Sequence, residues 1–459
     1  MIGAIPMRKK TLLAVLMAMV LLLSGCSSII VKDQAVEDAT PILTLGDDVV
    51  TRKQVLNTRD YLMYNDYYMY ASYGIDPAQL GFDITDPDVI AYYQESAVTT
   101  LKTDMVLRAK QKELGLDTLT EEEEAKAQES AQASYDSDRQ EVISEFFADT
   151  ALEGDALEEA ITAKMEEYGL NMDSYYLPNA RASALDNKLK DYIIRDVAVT
   201  DDEVKADYDS KVAADQEKYA EDAASWASAA NGTTTLYYTP AGVRRVKQIL
   251  IKFKEEDSTA VSDAEAKVTS ANGSIEAAQQ TIDNEEADAE AKAAAQTALD
   301  EAKAELEAAQ AALDEAKKTA YANIDADADA VIEALANGGD WAALSEEKNE
   351  DPGMKAGAVN AERGYAVAAG MTKFDSAFVD AAMALEKVGD VSAKVPSDLY
   401  GYYIIKYESD ETEGAIPLDS VKDSIYDALL SSAKSEVYNT TVNEWVAAAG
   451  VKENLGGLN

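Results

Sequence analysis

The side chains that most often carry out chemistry are scarce in this chain. Its 459 residues include no histidine, and Cys26 is the only cysteine. With a single thiol, no intramolecular disulfide can form. The thiol of Cys26 is therefore a candidate for covalent modification, and the segment that precedes it decides which modification that is.

The segment before Cys26 is typical of a secretion signal. Basic residues in "MRKK" (Met7–Lys10) precede a 13-residue apolar run, Thr11–Leu23, which is short for a membrane span. The next residues, "LSGC" (Leu23–Cys26), resemble the bacterial lipobox. This pattern predicts a lipoprotein signal peptide at 1–25, cleavage before Cys26 and diacylation of its thiol. The alternative is an uncleaved signal anchor with an incidental cysteine.

A lipid on Cys26 would hold the chain on the extracytoplasmic face of a bacterial cell membrane. Residues 26–40 are small, polar and acidic, which predicts a short tether. No second long apolar run follows in the sequence. We therefore expect the rest of the chain to be soluble and to lie outside the cytoplasmic membrane.

The charge balance is strongly acidic. Lys and Arg number 41 against 86 Asp and Glu, which gives a net charge of −45. Nucleic-acid binding is not expected, because phosphate contacts need clustered Lys and Arg. An acidic surface favours basic partners, although a solvated acidic face with no partner is the commoner case. The length predicts two or three domains.

Helical patterns dominate residues 41–240, which we assign to an N-terminal helical domain. Thr51, Thr120 and Thr200 stand before helical patterns and are predicted N-caps. Within this part, residues 59–74 ("RDYLMYNDYYMYASYG") are dense in Tyr and Met. Two interpretations of them stay open: a buried helix with a tyrosine-rich rim, or an adaptable binding surface.

Residues 258–320 are rich in Ala, Glu, Asp and Lys and repeat every seven residues. Large apolar residues recur at this spacing, mostly with alanine three residues later: Val261, Val268, Ile275 and Ile282, then Leu299, Leu306 and Leu313. A heptad with one large and one small apolar position predicts an antiparallel coiled-coil hairpin. A flexible low-complexity linker is the alternative.

Globular composition surrounds this segment. "VRRVKQILIKF" (Val243–Phe253) and "YGYYIIKY" (Tyr400–Tyr407) are rich in β-branched and aromatic residues, which predicts strands. Between them the pattern indicates short helices and a loop. Residues 415–448 are predicted to form a last amphipathic helix.

The order of these segments resembles the parvulin-type prolyl isomerases. "RVKQILIK" resembles the first strand of that family, "LANGGDWAALSEEKNEDPGMKAG" its helix pair and loop, and "FVDAAMALEKVGDVSAKVPSDLYGYYIIKY" its last helix and strands. The resemblance covers about 100 residues, 243–253 and 321–407. With the lipobox and the flanking helices, the chain is similar to the PrsA-type foldase lipoproteins and to SurA.

The resemblance implies an α+β fold class. A mostly helical chaperone module is expected from residues 41–240, with the C-terminal residues 409–459 packed on it. A parvulin-like domain with a four-stranded antiparallel sheet and helices is expected at 243–257 and 321–408. The coiled-coil hairpin, 258–320, would be an insertion in that domain.

The same resemblance assigns the site residues. The polar positions of the family fall on Gln248, Asp351, Ser397 and Tyr403. Gln248 and Tyr403 stand where the family has histidine, and "GAVN" (Gly357–Asn360) replaces its glycine-rich turn. The substrate-pocket positions fall on Phe374, Phe378 and Met383, the last of which is usually Phe in the family. Gln and Tyr both donate and accept hydrogen bonds, so one network of the four polar residues is conceivable.

Prolyl isomerisation needs little chemistry from the protein. Rotation about an X–Pro bond crosses a barrier of about 18–20 kcal/mol. The site must grip the proline ring and favour the twisted amide, so we expect no metal and no cofactor. The resemblance implies a membrane-anchored foldase whose partners are unfolded or extended secreted polypeptides.

Three interpretations of the function stay open. Because both family histidines are replaced, a prolyl isomerase and a noncatalytic holdase or scaffold are competing functions of the same fold. A solute-binding lipoprotein is disfavoured, since two α/β lobes would alternate strands and helices throughout. A helical hairpin can also dimerise, so a homodimer stays open.

Overall fold

The computed structural model describes residues 34–148 and 150–458. The predicted signal peptide, Cys26 and most of the predicted tether therefore lie outside the described residues. The chain divides into two compact units, one that runs to Val199 and resumes at Ala428, and one that spans Thr200–Asp427. Within the described ranges, no helix combines the length and the apolar character that crossing a membrane requires.

The helices and strands are numbered here in chain order. The helices are α1 (Gln34–Asp38), α2 (Arg52–Ser72), α3 (Pro87–Leu114), α4 (Glu121–Val142), α5 (Gly154–Glu167), α6 (Leu177–Ile194), α7 (Asp201–Tyr219), α8 (Ala223–Ala230), α9 (Glu255–Asp283), α10 (Ala289–Ala336), α11 (Trp341–Lys348), α12 (Val359–Arg363), α13 (Ser376–Ala384) and α14 (Leu418–Ala448). The strands are β1 (Pro41–Leu45), β2 (Asp48–Thr51), β3 (Tyr238–Thr239), β4 (Arg244–Lys252), β5 (Tyr365–Val367), β6 (Val395–Ser397), β7 (Gly401–Asp410), β8 (Gly414–Ala415) and β9 (Lys452–Glu453).

Three long helices begin at the predicted threonine caps. Thr51, Thr120 and Thr200 each accept a hydrogen bond from the backbone N–H three residues later. The glutamine or glutamate at that later position returns a bond to the threonine N–H, which completes a capping box. The three cap predictions are confirmed, because capping depends on residues adjacent in sequence.

The core of the first unit joins its N-terminal and C-terminal segments. Strand β1 pairs with β2 on one side and with β9 on the other, both antiparallel. Leu43 of β1 is buried with Met105 of α3. Farther along the same helix, Leu107 packs with Leu189 of α6 and with Val442 of α14. Residues 428–458 thus contribute to the same hydrophobic core as the N-terminal helices.

An antiparallel four-stranded sheet, in the order β5–β4–β7–β6, organises the second unit. Side chains alternate between its two faces. One face buries Leu250 and Tyr403 against Phe378 of α13, and the other buries Ile249 and Ile404 against α10 and α11. The predicted α+β fold class is confirmed.

Helices α9 and α10 lie along each other in antiparallel directions. Asn323 donates to Asp257, and Lys317 pairs with Glu265. Higher residue numbers on α10 therefore lie beside lower residue numbers on α9, as in an antiparallel pair. The facing layer is apolar and small, with buried residues at Val261, Ala264, Ala271 and Ala278 of α9 and at Leu299, Ala302, Ala309 and Leu313 of α10.

Helix α10 does not break at residue 320, where the predicted hairpin ends. It continues without interruption to Ala336, and its last turns bury Ile324, Ala328 and Val331 against the sheet. The arm and the helix that covers the sheet are therefore one element of 48 residues. Both segments have apolar residues at helical spacing, so nothing stops the helix at their junction.

The second unit also includes two segments that the sequence analysis assigns elsewhere. Residues 200–240 and 409–427 belong to it. Trp226 of α8 is buried in the sheet core and donates its Nε1–H to the carbonyl of Tyr238. Strand β3 then pairs with β8, which ties the two segments to each other. The boundaries of the second unit therefore depend on the burial of Trp226 and on the pairing of β3 with β8, which are contacts between distant residues.

Candidate functional site

Two neighbouring strands place Gln248 and Tyr403 on one face of the sheet. Leu250 of β4 lies opposite Tyr403 of β7, and Gln248 comes two residues before Leu250. Residues two apart on a strand point to the same side. Gln248 is 7% exposed and Tyr403 is 5% exposed, so both polar side chains are buried at the same face.

Gln248 belongs to a cluster around the carboxylate of Asp351. Its Nε2 donates to Oδ2 of Asp351 at 2.7 Å. The hydroxyl of Tyr365, on β5, donates to the same oxygen at 3.0 Å. Oδ1 accepts the backbone N–H of Gly353 at 2.9 Å. The carboxylate of Asp351 thus accepts hydrogen bonds from one residue of β4, one residue of β5 and one residue of its own loop.

A buried asparagine holds the Asp351 loop against the sheet. Asn349 is 2% exposed, and its Nδ2 donates to the carbonyl of Gln248 at 2.7 Å. Its Oδ1 accepts the N–H groups of Leu250 and Asp351 at 2.9 and 3.0 Å. The side chain of Asn349 therefore bonds to the backbone of β4, and these bonds fix the position of the loop and of Asp351.

A second cluster surrounds Asp375. The hydroxyl of Ser397, on β6, donates to Oδ2 of Asp375 at 2.5 Å, and the hydroxyl of Tyr403 donates to the same oxygen at 3.4 Å. Oδ1 accepts the N–H of Ala377 and thereby caps α13. The four predicted polar residues thus divide between two carboxylates, Asp351 and Asp375.

Aromatic rings line the space between the two carboxylates. Phe374 and Phe378 lie edge to face with ring centroids 5.6 Å apart. Tyr365 contacts Phe374 at 5.0 Å, and Phe378 contacts Tyr403 at 5.3 Å. Edge-to-face packing is one of the two geometries that aromatic pairs prefer. Together these rings form an apolar wall with phenol hydroxyls at its margins.

The wall encloses one side of a cavity of about 320 Å³. This is at the lower end of the range of about 300–1,000 Å³ for small-molecule sites. Five of the seven predicted site residues of the sheet domain meet here, and the cavity is lined by Gln248, Leu250, Lys252, Asp351, Pro352, Tyr365, Lys373, Phe374, Asp375, Phe378, Tyr400 and Tyr403. Ser397 lies behind the lining, since it is fully buried.

Met383 takes a different position from the one that the resemblance implies. It does not line the cavity. Its half-buried side chain packs on the sheet core, and its carbonyl accepts a hydrogen bond from Nη1 of Arg244 at 2.8 Å. Of the predicted pocket residues, Phe374 and Phe378 line the cavity.

The Gln248 side chain presents a buried oxygen with no partner. A carboxylate accepts hydrogen bonds, so the amide nitrogen of Gln248 must face Asp351. The amide oxygen Oε1 then points the other way, and it has no hydrogen-bond partner among the described residues. Buried polar atoms in folded proteins are nearly always paired. Gln248 lines the cavity, but Oε1 itself is buried, so a ligand N–H group would reach this acceptor only after a shift of the side chain.

Two phenols of the site, those of Tyr365 and Tyr403, stay protonated at neutral pH. Burial raises the pKa of Tyr365, and the negative charge of Asp351 raises it further. Burial also raises the pKa of Tyr403, and the charge of Asp375 adds to the shift. An ordinary tyrosine titrates near pH 10. Both hydroxyls therefore remain hydrogen-bond donors to their carboxylates.

Several residues of the site were not predicted from the sequence. Tyr365, Asn349 and Tyr400 are not among the positions that the resemblance assigns to the site. Asp375 does have a local signal, because an acid directly before the helical segment "SAFVDAAMA" is typical of an N-cap. That signal predicts the cap, and it is silent on the bonds to Ser397 and Tyr403.

Curated relatives match part of the chain. Foldase protein PrsA of Clostridium botulinum strain Hall is 32% identical over 114 residues, which are 25% of this chain and 32% of that protein. Foldase protein PrsA of strain 657 is 33% identical over the same length. The chain thus spans about a third of the length of the curated relatives it matches. No family model matches the chain.

Solved structures match over more of the chain, with low similarity. The peptidylprolyl isomerase PrsA of Bacillus cereus is 16% identical, with 92% of this chain and 96% of that chain covered and a TM-score of 0.18. Foldase protein PrsA of Streptococcus pneumoniae is 12% identical, with 92% and 97% covered and a TM-score of 0.25. One of the SurA-like chaperones of Campylobacter jejuni is 17% identical, with 70% and 95% covered and a TM-score of 0.25. At these scores the structures add no argument, and the similarity to foldase protein PrsA rests on the curated match over 114 residues.

Proposed function

We propose that the chain is an extracytoplasmic foldase that binds unfolded or extended segments of secreted polypeptides. The observation that carries the proposal is the cavity that joins an aromatic wall to the side chain of Gln248, whose buried Oε1 has no hydrogen-bond partner among the described residues. The relatives named foldase protein PrsA support it. In this proposal the second unit provides the peptide site, and the first unit acts as the helical chaperone module.

The cavity suits a prolyl segment in two ways. The rings of Phe374 and Phe378 would take the proline ring, since apolar contact there excludes water. Oε1 of Gln248 would accept the backbone N–H of the residue that follows the proline. These two anchors lie on the same side of the X–Pro bond, so the segment before the proline stays free to turn.

Isomerisation in such a site would depend on binding the twisted amide better than the planar one. The barrier of about 18–20 kcal/mol comes from amide resonance. Removing water from the amide and fixing one side of it both favour the twisted state. Tyr365 and Tyr403 would position the carboxylates that surround the bond, with no proton transfer required.

A noncatalytic holdase is the second candidate. Three hydroxyls of the site, those of Tyr365, Ser397 and Tyr403, already donate to Asp351 or Asp375. They are therefore occupied before a peptide arrives. This favours a site that grips an extended segment without stabilising its twisted form.

Exchange spectroscopy separates the two candidates. The full-length chain is added to a short proline peptide, and NMR measures both the cis–trans exchange rate and the affinity. Faster exchange that is lost in Phe374→Ala supports the isomerase. Binding with exchange at the uncatalysed rate supports the holdase, and the absence of binding would overturn the peptide site. Met383→Ala is the matched control, because Met383 is also half-buried but lies outside the cavity.

The anchor and the chaperone activity need their own tests. Cells that express the chain can be labelled with an alkyne fatty acid, and the label should be absent from Cys26→Ser. Chaperone activity is measured by light scattering of a chemically unfolded protein diluted into the full-length chain. Scattering that is no lower than in buffer alone would contradict the foldase proposal.

A further inference from the structure

One surface of the first unit combines aromatic residues with negative charge. Residues 60–95 contain eight tyrosines, one phenylalanine, seven acids and no Lys or Arg, and Arg59 directly before them pairs with Asp60. They comprise most of α2, the loop after it and the start of α3. We call the aromatic residues of this segment the tyrosine patch: Tyr61, Tyr64, Tyr67, Tyr68, Tyr70, Tyr73, Phe82, Tyr92 and Tyr93.

The rings of the tyrosine patch form a continuous series. Tyr64 stacks on Tyr68, and Tyr68 meets Tyr67 edge to face, with centroids 6.4 and 5.5 Å apart. Phe82 then links Tyr67 to Tyr93, at 6.1 and 5.7 Å. Tyr92 meets Tyr93 at 5.1 Å. Six rings thus connect α2 to α3 without a gap.

Three of the nine aromatic residues of the patch are exposed to solvent, five are half-buried and Tyr93 is buried. Helix α2 has 21 residues, of which only Val55 and Met63 are buried. Tyr73 is 76% exposed, Tyr92 is 65% exposed and Tyr61 is 52% exposed. A helix of a globular protein ordinarily buries an apolar stripe of three or four residues in every two turns. Most of α2 is half-buried rather than buried, so the three exposed tyrosines lie beside further aromatic rings that are only partly covered, an arrangement that is compatible with a binding surface.

Charge around the patch favours a cationic partner. Asp88 and Glu95 are exposed on α3, four residues before and three residues after Tyr92, so both lie on the same helical face as that ring. Elsewhere in the described chain, Lys or Arg groups lie over aromatic rings, as Arg195 lies over Tyr192 at 4.0 Å. Among the described residues, no such cation covers a ring of the patch.

The same charges argue against other occupants. A second copy of this chain carries the same net charge of −45 and would be repelled. An anionic membrane surface would be repelled for the same reason. Cationic side chains on an apolar segment meet both requirements, because Lys and Arg bind aromatic faces and pair with carboxylates.

We propose that the tyrosine patch binds apolar polypeptide segments that carry Lys or Arg. The inference rests on the proposed foldase function, since an unfolded polypeptide is what presents such segments. The patch would give the foldase a preference for cationic over anionic apolar segments, whether or not those segments contain proline. Peptide binding to it is therefore separable from binding to the cavity of the second unit.

The test uses two proline-free, 15-residue fluorescent peptides with the same apolar residues. One carries four lysines and the other carries four glutamates, and fluorescence anisotropy measures their binding to the full-length chain. We expect the lysine peptide to bind at least tenfold more tightly than the glutamate peptide. Its affinity should fall severalfold between 50 and 300 mM NaCl, because salt screens charge.

Variants locate the binding surface. Replacing Tyr61, Tyr73 and Tyr92 by serine should weaken lysine-peptide binding at least tenfold. The exposed pair Tyr192→Ser and Tyr426→Ser is the matched control and should leave it unchanged, since both residues are 37% exposed and lie outside the patch. The isosteric pair D88N and E95Q should weaken the lysine peptide about threefold and should not weaken the glutamate peptide.

Each result decides for or against the patch. Equal affinity for the two peptides, or unchanged binding by the triple serine variant with its circular dichroism intact, would overturn the inference. If the triple variant is misfolded, D88N with E95Q decides alone. If the chain suppresses aggregation but binds the two peptides equally, the inference about the patch is refuted and the foldase proposal is retained. Lysine preference without suppressed aggregation refutes the foldase proposal and supports the patch as a peptide-binding surface.

Discussion

Ser397 and Asp375 form the shortest polar contact of the candidate site, with 2.5 Å between Oγ and Oδ2. Ser397 is fully buried, and its oxygen also accepts the N–H groups of Leu399 and Tyr400. Asp375 caps α13 with its other oxygen. One carboxylate therefore joins the first turn of a helix to the strand and turn that lead into β7.

Replacing Asp375 should cost more than a helix cap. In Asp375→Ala, α13 loses its cap, worth about 1 kcal/mol. The buried Ser397 hydroxyl also loses its acceptor, which adds about 1–3 kcal/mol. Urea unfolding of the second unit should therefore show a loss of about 2–4 kcal/mol. Asp340→Ala is the control, because Asp340 caps α11 through Ala343. Similar losses in the two variants would argue against the buried Ser397 contact.

Gln248 should couple to a peptide N–H through Oε1. Gln248→Met keeps the size of the side chain and removes the acceptor. Methylating the N–H after the proline should weaken binding about tenfold in the original chain and hardly at all in Gln248→Met. Affinities from NMR titration complete the double-mutant cycle. If methylation weakens both proteins equally, Oε1 does not contact that N–H.

Gly353 should be irreplaceable because of Tyr365. A Cβ added at Gly353 would lie 1.8 Å from the Tyr365 hydroxyl oxygen. In Gly353→Ala, Tyr365 must leave Asp351 and move towards the cavity, so peptide affinity should fall at least tenfold. Gly273→Ala is the contrasting case, since nothing lies within 4 Å of its added Cβ. That change should stabilise α9 by about 0.5–1 kcal/mol, as thermal unfolding would show.

The layer between α9 and α10 should reject larger side chains. Ala271 is 4% exposed and faces α10. Ala271→Leu overpacks this layer, which should lower stability by about 1–3 kcal/mol. Ala266→Leu, on the exposed side of the same helix, should change stability little. Thermal unfolding followed at 222 nm compares the two, and equal midpoints would mean that the helices do not pack closely at Ala271.

Glu123 should give the first unit a pH-dependent contribution to stability. Its carboxylate accepts from Lys188 Nζ at 2.7 Å and from the Thr120 N–H at 2.8 Å. These bonds lower the pKa of Glu123 from 4.5 to about 2, with the Lys188 bond as the largest cause. Between these values the unfolded chain binds more protons, so stability falls as pH falls.

The Glu123 contribution is therefore complete above pH 4.5 and is lost as pH falls towards about 2. Urea midpoints at pH 2.5, 3.5 and 6 should decline less steeply in Glu123→Gln than in the original chain. Glu121→Gln, which changes an exposed neighbour, should retain the original slope. Parallel declines in all three proteins would exclude this role for Glu123.

Local pattern made much of the fold predictable. The threonine caps depend on contacts three residues away, and the strand at Val243–Phe253 is visible in its own composition. Of the residues at seven-residue spacing between 258 and 320, α9 and α10 bury Val261, Leu299 and Leu313, together with five of the alanines that follow three residues later. Val268, Ile275, Ile282 and Leu306 are half-buried. In each case the interaction that stabilises the element lies within a few residues or repeats at a fixed spacing.

The candidate site was only partly predictable for the opposite reason. Its polar positions come from a family resemblance, and Asp351 and Asp375 look alike in sequence. Ser397 contacts Asp375 and not Asp351, because α13 brings Asp375 beside β6. Tyr365 reaches Asp351 because β5 pairs with β4.

The sequence by itself determined the absence of histidine, the acidic charge, the capped starts of three helices, the strand at Val243–Phe253, and the order of segments that resembles a parvulin domain. The tertiary structure alone decided the grouping of residues 200–240 with the sheet, the division of the site between two carboxylates, and the unpartnered oxygen of Gln248. The physical reason is range. Caps and periodicity act between neighbours along the chain, whereas strand register and helix packing bring distant side chains together, and the sequence does not display that register.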